Sequence, residues 1–189
     1  MNIILMGFRC TGKSTVGRRL AEGLGVPFTD TDEMIEQRTG RLISHIVAEK
    51  GWPAFRAEER AVIRDFAGTD RGVIALGGGA VCDAENVETL KANGVFVLLS
   101  ARPESIASRM VRDERHGAER PSLTGAPSVN EIQAVMTERE PLYRRLADIV
   151  VDTSDIPVDQ VVEGIRAGLR ERFPEAEGIG ADPGKKTAL

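Results

Sequence analysis

The sequence predicts an α/β fold: a parallel sheet covered on both faces by helices. Three observations predict it. Short apolar runs alternate with segments of helical periodicity along the whole chain, the pattern of buried parallel strands joined by crossover helices. The apolar runs end in glycine or in polar turn residues. The unusual residues of the chain lie just behind those runs, and in such sheets ligands gather at the carboxyl ends of the strands.

The elements follow in order. Residues 2–6, NIILM, form an apolar run closed by Gly7 and predict a buried strand. Val16, Leu20 and Leu24 recur every four residues on one face of a helix that starts at Lys13; Gly25 and Pro27 stop it. A short strand around Phe28 runs into TDTDEMIEQRTG, where residues 31–39 predict a helix ended by Gly40. LISHIVAEKG predicts another short helix on Ile43, Ile46 and Val47, and WPAFRAEERAVIRDFAG a further one, with Pro53 suited to its first turn. VIAL, 73–76, is a strand that opens into Gly77-Gly78-Gly79, and DAENVETLKANG is a helix ended by Gly94. VFVLL, 95–99, is a buried strand, after which RPESIASRMV restarts a helix. Residues 112–127, RDERHGAERPSLTGAP, lose all periodicity, and a loop of that length is functional or disordered. A long helical pattern then runs to about Ala147, followed by the strand IVVD and by a helix with Val158, Val161, Val162, Ile165 and Leu169 on one face. Residues 174–189 are polar and rich in Gly and Pro, predicting a disordered tail behind a single domain over 1–173.

Composition narrows the classes of function. The chain has 189 residues, 41% hydrophobic and 29% charged, enough for one domain with a real core. No stretch has the apolar length of a membrane span, and MNIILMGF lacks the basic start of a secretory signal. A net charge of −4 disfavours broad nucleic-acid binding. Two cysteines, Cys10 and Cys82, make no disulfide framework and read as free thiols of a reducing cytoplasm. His45 and His116 lack partners at metal-ligand spacing, so no structural metal is expected.

Gly7-x-x-x-x-Gly12-Lys13-Ser14 fits a phosphate-binding loop, with the strand it needs before it and the helix it needs after it. Glycine lets successive peptide N–H groups curl around an anion, and the helix N-terminus adds partial positive charge. Lys13 suits the β- and γ-phosphates, Ser14 a Mg²⁺ ion, and Thr15 the α-phosphate region. The loop alone specifies a nucleoside triphosphate and leaves kinase, GTPase, motor and switch open. Cys10 within it is either a small tolerated side chain or an oxidisable thiol beside phosphate.

Other residues describe what sits opposite. Asp30 and Asp32 follow the second strand, spaced to serve Mg²⁺ or an attacking hydroxyl, or else to cap the next helix, with Thr31 or Asp32 as the cap. Arg139 falls within the stripe Ile132, Val135, Met136, Leu142, Tyr143 and Leu146, and an inward guanidinium needs an anion, from a ligand or from an internal acidic partner. Pro141 is able to kink that helix and rotate the stripe. Arg56 lies between Trp52 and Glu59 on another helix, so two arginines are able to grip one carboxylate, or Arg56 pairs with Glu59. Gly77, Gly78 and Gly79 make sense where a ligand touches main chain. Arg120, in the long charged loop, is either a lid arginine or a solvated one. Together these describe a small, anionic, polyhydroxylated acceptor.

GFRCTGKSTVGRRLAEGLGVPFTDTDEMIEQRTG, FRAEE, LGGGAV, RPSLTG, EREPLYRR and DIVVDTS, in that order, resemble the shikimate kinase family from about Met1 to Arg172. The RPSLTG form is similar to the second of the two enteric-type isoforms. The resemblance implies a three-layer α/β/α P-loop kinase fold of the nucleoside-monophosphate-kinase type, with a five-stranded parallel sheet in order 2-3-1-4-5. It implies ATP- and Mg²⁺-dependent phosphorylation of the 3-hydroxyl of shikimate, giving shikimate 3-phosphate and ADP on the route to chorismate and aromatic amino acids, by a cytoplasmic monomer with no nucleic-acid or membrane partner. Carried over by motif, Gly7, Cys10, Thr11, Gly12, Lys13, Ser14, Thr15, Arg109 and Arg120 bind ATP; Ser14 and Asp30 serve the metal. Asp32, Arg56, Gly77, Gly78, Gly79 and Arg139 bind shikimate. Lys13, Asp32 and Arg120 are catalytic, Asp32 as base. Residues 31–65 form the shikimate-binding helical region and 112–127 the lid, and Asp152–Pro157 flanks adenine with Arg109. Two departures bear on nucleotide affinity and preference: Cys10 stands where the family usually has glycine, and TSDIP is less basic than the usual adenine segment. The rival readings are a gluconate-type sugar-acid kinase and a non-catalytic nucleotide switch; the combination DTD, FRxxE and GGG speaks against the first, the acceptor arginines against the second.

Overall fold

The structure is a computed structural model and describes residues 1–66, 68–112 and 129–174. Its centre is β1 (Asn2–Met6), buried along its whole length because every residue from Ile3 to Met6 is apolar. Around it β2 (Phe28–Asp30), β3 (Val73–Ala75), β4 (Gly94–Ser100) and β5 (Ile149–Asp152) complete a five-stranded sheet in the order β2-β3-β1-β4-β5. All four pairings are parallel, so the expected strand order holds.

Alternation along each strand divides the core between the two faces. Ile3 and Leu5 join Val97 and Leu99 on one side, covered by Val16 and Leu20 of α1 (Lys13–Leu24) and by Val161, Ile165 and Leu169 of α7 (Val158–Arg172). Ile4 and Met6 join Phe96 and Leu98 on the other, covered by Ile63 of α3 (Ile43–Arg64), Leu90 of α4 (Ala84–Lys91), and Tyr143 and Leu146 of α6 (Val129–Leu146). A separate cluster, Ile35, Ile43, Ile46, Phe55 and Val62, binds α2 (Thr31–Thr39) to α3. Another joins Phe8 to Ile106 of α5 (Pro103–Arg112) and Ile132 of α6.

Local chemistry explains several boundaries. The α3 segment breaks at Gly51, whose φ of 78° lies in the left-handed region, so the two helices expected around LISHIVAEKG and WPAFRAEER are both present and Pro53 falls in the first turn of the second. Pro141 lies inside α6 without ending it, and Ile132, Tyr143 and Leu146 are buried as the stripe requires. One expectation is corrected. Neither Thr31 nor Asp32 caps α2: the cap is Asp30, whose Oδ1 accepts the Asp32 N–H at 3.0 Å, while the Thr31 hydroxyl turns inward to another backbone group. All but the first residue of the expected lid at 112–127, Arg120 included, and all but the first residue of the expected tail at 174–189 lie outside the described residues. No helix among the described residues is long and apolar enough to cross a membrane.

Leu20 is fully buried between α1 and the sheet. Leu20→Ala is expected to cost about 2–5 kcal/mol of unfolding free energy, measured as a lower urea midpoint with an unchanged m value.

Candidate active site

The loop between β1 and α1 is built by backbone geometry. Gly7 has φ of 138°, and a Cβ there would stand 2.3 Å from the Leu99 carbonyl oxygen, so only glycine fits. Cys10 occupies the left-handed region at φ 58°, a conformation glycine adopts without strain. Lys13, 8% exposed, folds back and donates from Nζ to the carbonyls of Gly7 (3.0 Å) and Phe8 (2.8 Å). The Thr11 hydroxyl donates to the Phe8 carbonyl at 2.9 Å, and Thr153 Oγ1 donates to the Thr11 carbonyl at 3.0 Å. Ser14 Oγ donates to Asp30 Oδ2 at 2.5 Å. Asp30 is therefore cap and loop partner at once, through its two oxygens. Ser14, the exposed Thr15, Asp30 and Asp32 border a broad outer groove along α1.

Behind the loop lies a cleft lined by Phe8, Arg9, Asp32, Trp52, Phe55, Arg56, Glu59, the three glycines 77–79 and Arg139. The glycines form its floor, and each has a different neighbour. A Cβ at Gly77 would stand 2.7 Å from Asp32 Oδ1 and 2.9 Å from Glu59 Oε1. At Gly78 it would stand 3.5 Å from the Arg9 backbone nitrogen and 3.6 Å from the Gly7 carbonyl oxygen. At Gly79 it would stand 2.2 Å from Arg56 Nη2. Acid thus lies at one end of the floor, guanidinium at the other, and the phosphate loop against the middle.

Hydrogen bonds fix this floor. Gly77 N–H donates to Thr31 Oγ1 at 2.9 Å. The Tyr143 hydroxyl donates to the Gly78 carbonyl, and Arg139 Nη1 lies 3.5 Å from the same oxygen. Burial pushes the Tyr143 hydroxyl up to about 12, so it stays a donor. Arg56 forms an ion pair with the fully buried Glu59 and lies over the rings of Phe55 (5.1 Å) and Trp52 (5.8 Å). Burial raises the Glu59 carboxyl above the ordinary glutamate range; Arg56 opposes that shift, and Asp32 and Asp83 add to it. Its Oε1 is buried and has no hydrogen-bond partner among the described residues.

The residues singled out in the sequence fall into two groups that meet. Gly7 to Thr15 and Asp30 form the loop side; Asp32, Arg56, Gly77, Gly78, Gly79 and Arg139 line the cleft. Arg109 stands apart, its guanidinium donating to the carbonyls of Cys10 (3.2 Å), Thr153 and Ser154 (3.2 Å) and to Thr153 Oγ1 (3.1 Å). Sequence reasoning left Arg9 unremarked, treated Tyr143 as stripe and Glu59 only as a partner for Arg56. The signal for Glu59 was its i+3 spacing from Arg56, and for Arg9 a second basic residue in the loop besides Lys13. Thr153 entered the reading only as part of the Asp152–Pro157 stretch.

Glu59 binds its proton more tightly folded than unfolded, so its contribution to stability is present at low pH and is lost as pH rises through its raised value. Glu59→Gln is expected to remove that part of the pH dependence, leaving a flatter profile of urea-unfolding free energy above the ordinary glutamate range; an unchanged slope would contradict the assignment.

The chain is similar to known proteins of one family. The shikimate kinase family model matches residues 9–170. The shikimate kinase of Syntrophus aciditrophicus is 45% identical over 181 residues, covering 91% of this chain and 93% of its own. That of Nitratidesulfovibrio vulgaris is 48% identical over 167 residues, covering 88% and 94%. The solved structure of the Acinetobacter baumannii shikimate kinase in complex with shikimate superposes with a TM-score of 0.84 at 34% identity, covering 91% of this chain and 94% of that one. With a family match across nearly the whole described chain, and the floor, loop and arginines in place, this protein belongs to the shikimate kinase family.

Proposed function

We propose that this protein transfers the γ-phosphoryl group of ATP to the 3-hydroxyl of shikimate, giving shikimate 3-phosphate and ADP. The observation that carries the reading is the polarity of the glycine floor, with Asp32 at Gly77, the phosphate loop against Gly78 and Arg56 at Gly79. A ring acid laid along it meets guanidinium with its carboxylate, from Arg56 and Arg139, and Asp32 with its hydroxyls. Main-chain groups of Gly77, Gly78 and Gly79 lie under the ring, and a side chain at Gly77 would collide with Asp32, one at Gly79 with Arg56.

The nucleotide belongs in the loop. Peptide N–H groups from Gly7 to Thr15 and the α1 N-terminus face its phosphates, and Lys13 exchanges its contacts with the Gly7 and Phe8 carbonyls for the β- and γ-phosphates. Arg109 holds residues 153 and 154 against Cys10 and so shapes the wall where adenine would lie. Mg²⁺ fits the Ser14–Asp30 pair, because that ion keeps several waters and takes only one or two protein oxygens besides phosphate. Bound with ATP, it supplies positive charge to the β- and γ-phosphates. Asp32 takes the proton of the 3-hydroxyl as that oxygen forms its bond to the γ-phosphorus. The bond from γ-phosphorus to the β,γ-bridging oxygen breaks, its electron pair leaves with ADP, and the proton passes from Asp32 to solvent. Arg120 is assigned to close over the transferring group with residues 112–127. Both cysteines are free, which suits the reducing cytoplasm where we place the reaction.

An ADP-release assay with shikimate, gluconate and nucleoside monophosphates as acceptors tests the reading; turnover is expected with shikimate, and turnover with gluconate alone would replace it with the sugar-acid kinase. Asp32→Asn is expected to lower kcat by about 10²-fold or more, the scale of a lost general base, with ATP affinity retained in equilibrium binding.

A further inference from the structure

We propose that Arg9 is a further anion-binding guanidinium of this site and that its ligand is the phosphoryl group in transit and, afterwards, the phosphate of the product. The inference rests on the reaction proposed above. Arg9 stands in the phosphate loop, between Phe8 and Cys10, yet the residue also lines the acceptor cleft with Arg56 and Arg139. Its Nε is buried and has no hydrogen-bond partner among the described residues. A guanidinium N–H taken out of water without an acceptor is costly, and an anion arriving with the substrates removes that cost.

Place decides which anion. Arg56 lies at the Gly79 end of the floor and Arg139 touches the Gly78 carbonyl, so those two answer one carboxylate. Arg9 meets the floor at Gly78, where a Cβ would stand 3.5 Å from its backbone nitrogen and 3.6 Å from the Gly7 carbonyl oxygen. This is the seam between donor loop and acceptor cleft, and whatever moves from one to the other crosses it. Lys13 serves the phosphates from inside the loop; Arg9 faces them from the acceptor side. The guanidinium of Arg9 is tethered at that seam by its backbone, and positive charge brought there acts on the equatorial oxygens of the transferring group, where it lowers the barrier. Unsubstituted shikimate offers nothing there except a neutral hydroxyl. Arg9 therefore distinguishes product from acceptor, which the carboxylate arginines do not.

Binding of shikimate and of shikimate 3-phosphate to the full-length chain tests this. Trp52 is the single tryptophan, and Arg56 lies 5.8 Å from its ring, so its emission reports on the cleft. For Arg9→Met the Kd for shikimate is expected to stay within about threefold of wild type, while that for shikimate 3-phosphate weakens about tenfold or more and kcat falls by a similar factor, as loss of a charge-assisted contact to phosphate requires. Arg9→Lys restores part of both, because it keeps the charge and loses the fork. Equal weakening of the two ligands would place Arg9 on the carboxylate and overturn the proposal, as would an unchanged affinity for shikimate 3-phosphate. Should Arg9→Met fail to fold, the ratio of the two Kd values in Arg9→Lys decides on the same terms. Absence of shikimate turnover in the wild type would sink the proposed reaction itself; turnover in the wild type with Arg9 indifferent would sink only this inference.

Discussion

The direct hydrogen bonding of β1 to β3 is the constraint on which the site depends. Ile3, Ile4 and Leu5 pair in register with Val73, Ile74 and Ala75. Parallel strands in register send their following loops out at the same edge, so the phosphate loop and the glycine floor must meet, and they do so at Gly78. β2 pairs with the outer side of β3, Asp30 opposite Ala75, which delivers Asp32 to the Gly77 end. The loop and floor to which we assign donor and acceptor come from separate stretches of chain, yet strand order makes them adjacent.

The site concentrates charge and manages it by pairing. Glu59 occupies a fully buried position beside Asp32 and holds Arg56 on its other oxygen. A half-buried guanidinium held by a carboxylate through Nη1 and lying over two aromatic rings loses little freedom when a ligand arrives. The neutral partners do comparable positioning. Thr31 holds the Gly77 N–H and Tyr143 the Gly78 carbonyl, so the floor presents its remaining main-chain groups in one conformation. Both contacts come from motifs whose charged members attract notice first: Thr31 from DTD, Tyr143 from the stretch that follows Arg139.

Much of this was legible in residues alone, and for physical reasons. Strands such as 95–99 are apolar throughout because both sheet faces are covered, and the phosphate loop announces itself through glycine, lysine and hydroxyl at set spacing between strand and helix. Arg139 was legible because charge within an apolar stripe needs an explanation. What escaped depends on tertiary placement. That Asp30 rather than Thr31 caps α2 follows from Thr31 being drawn to Gly77, a contact 46 residues away. That Arg109 ties three carbonyls near the loop follows from α5 lying beside the end of β5, which no local pattern encodes. Cys10 holds a left-handed backbone where glycine is the usual residue of the family it resembles; its side chain, partly buried, packs against the buried cluster around Phe8 and Ile106.

The central claim is directional: acid at one end of the glycine floor, guanidinium at the other, the donor loop between. A crystal structure of this protein with shikimate bound tests it most directly. The account predicts the carboxylate between Arg56 and Arg139 at the Gly79 end, with the ring hydroxyls toward Asp32 at the Gly77 end. A ligand bound in the opposite sense, or outside this cleft, would contradict it.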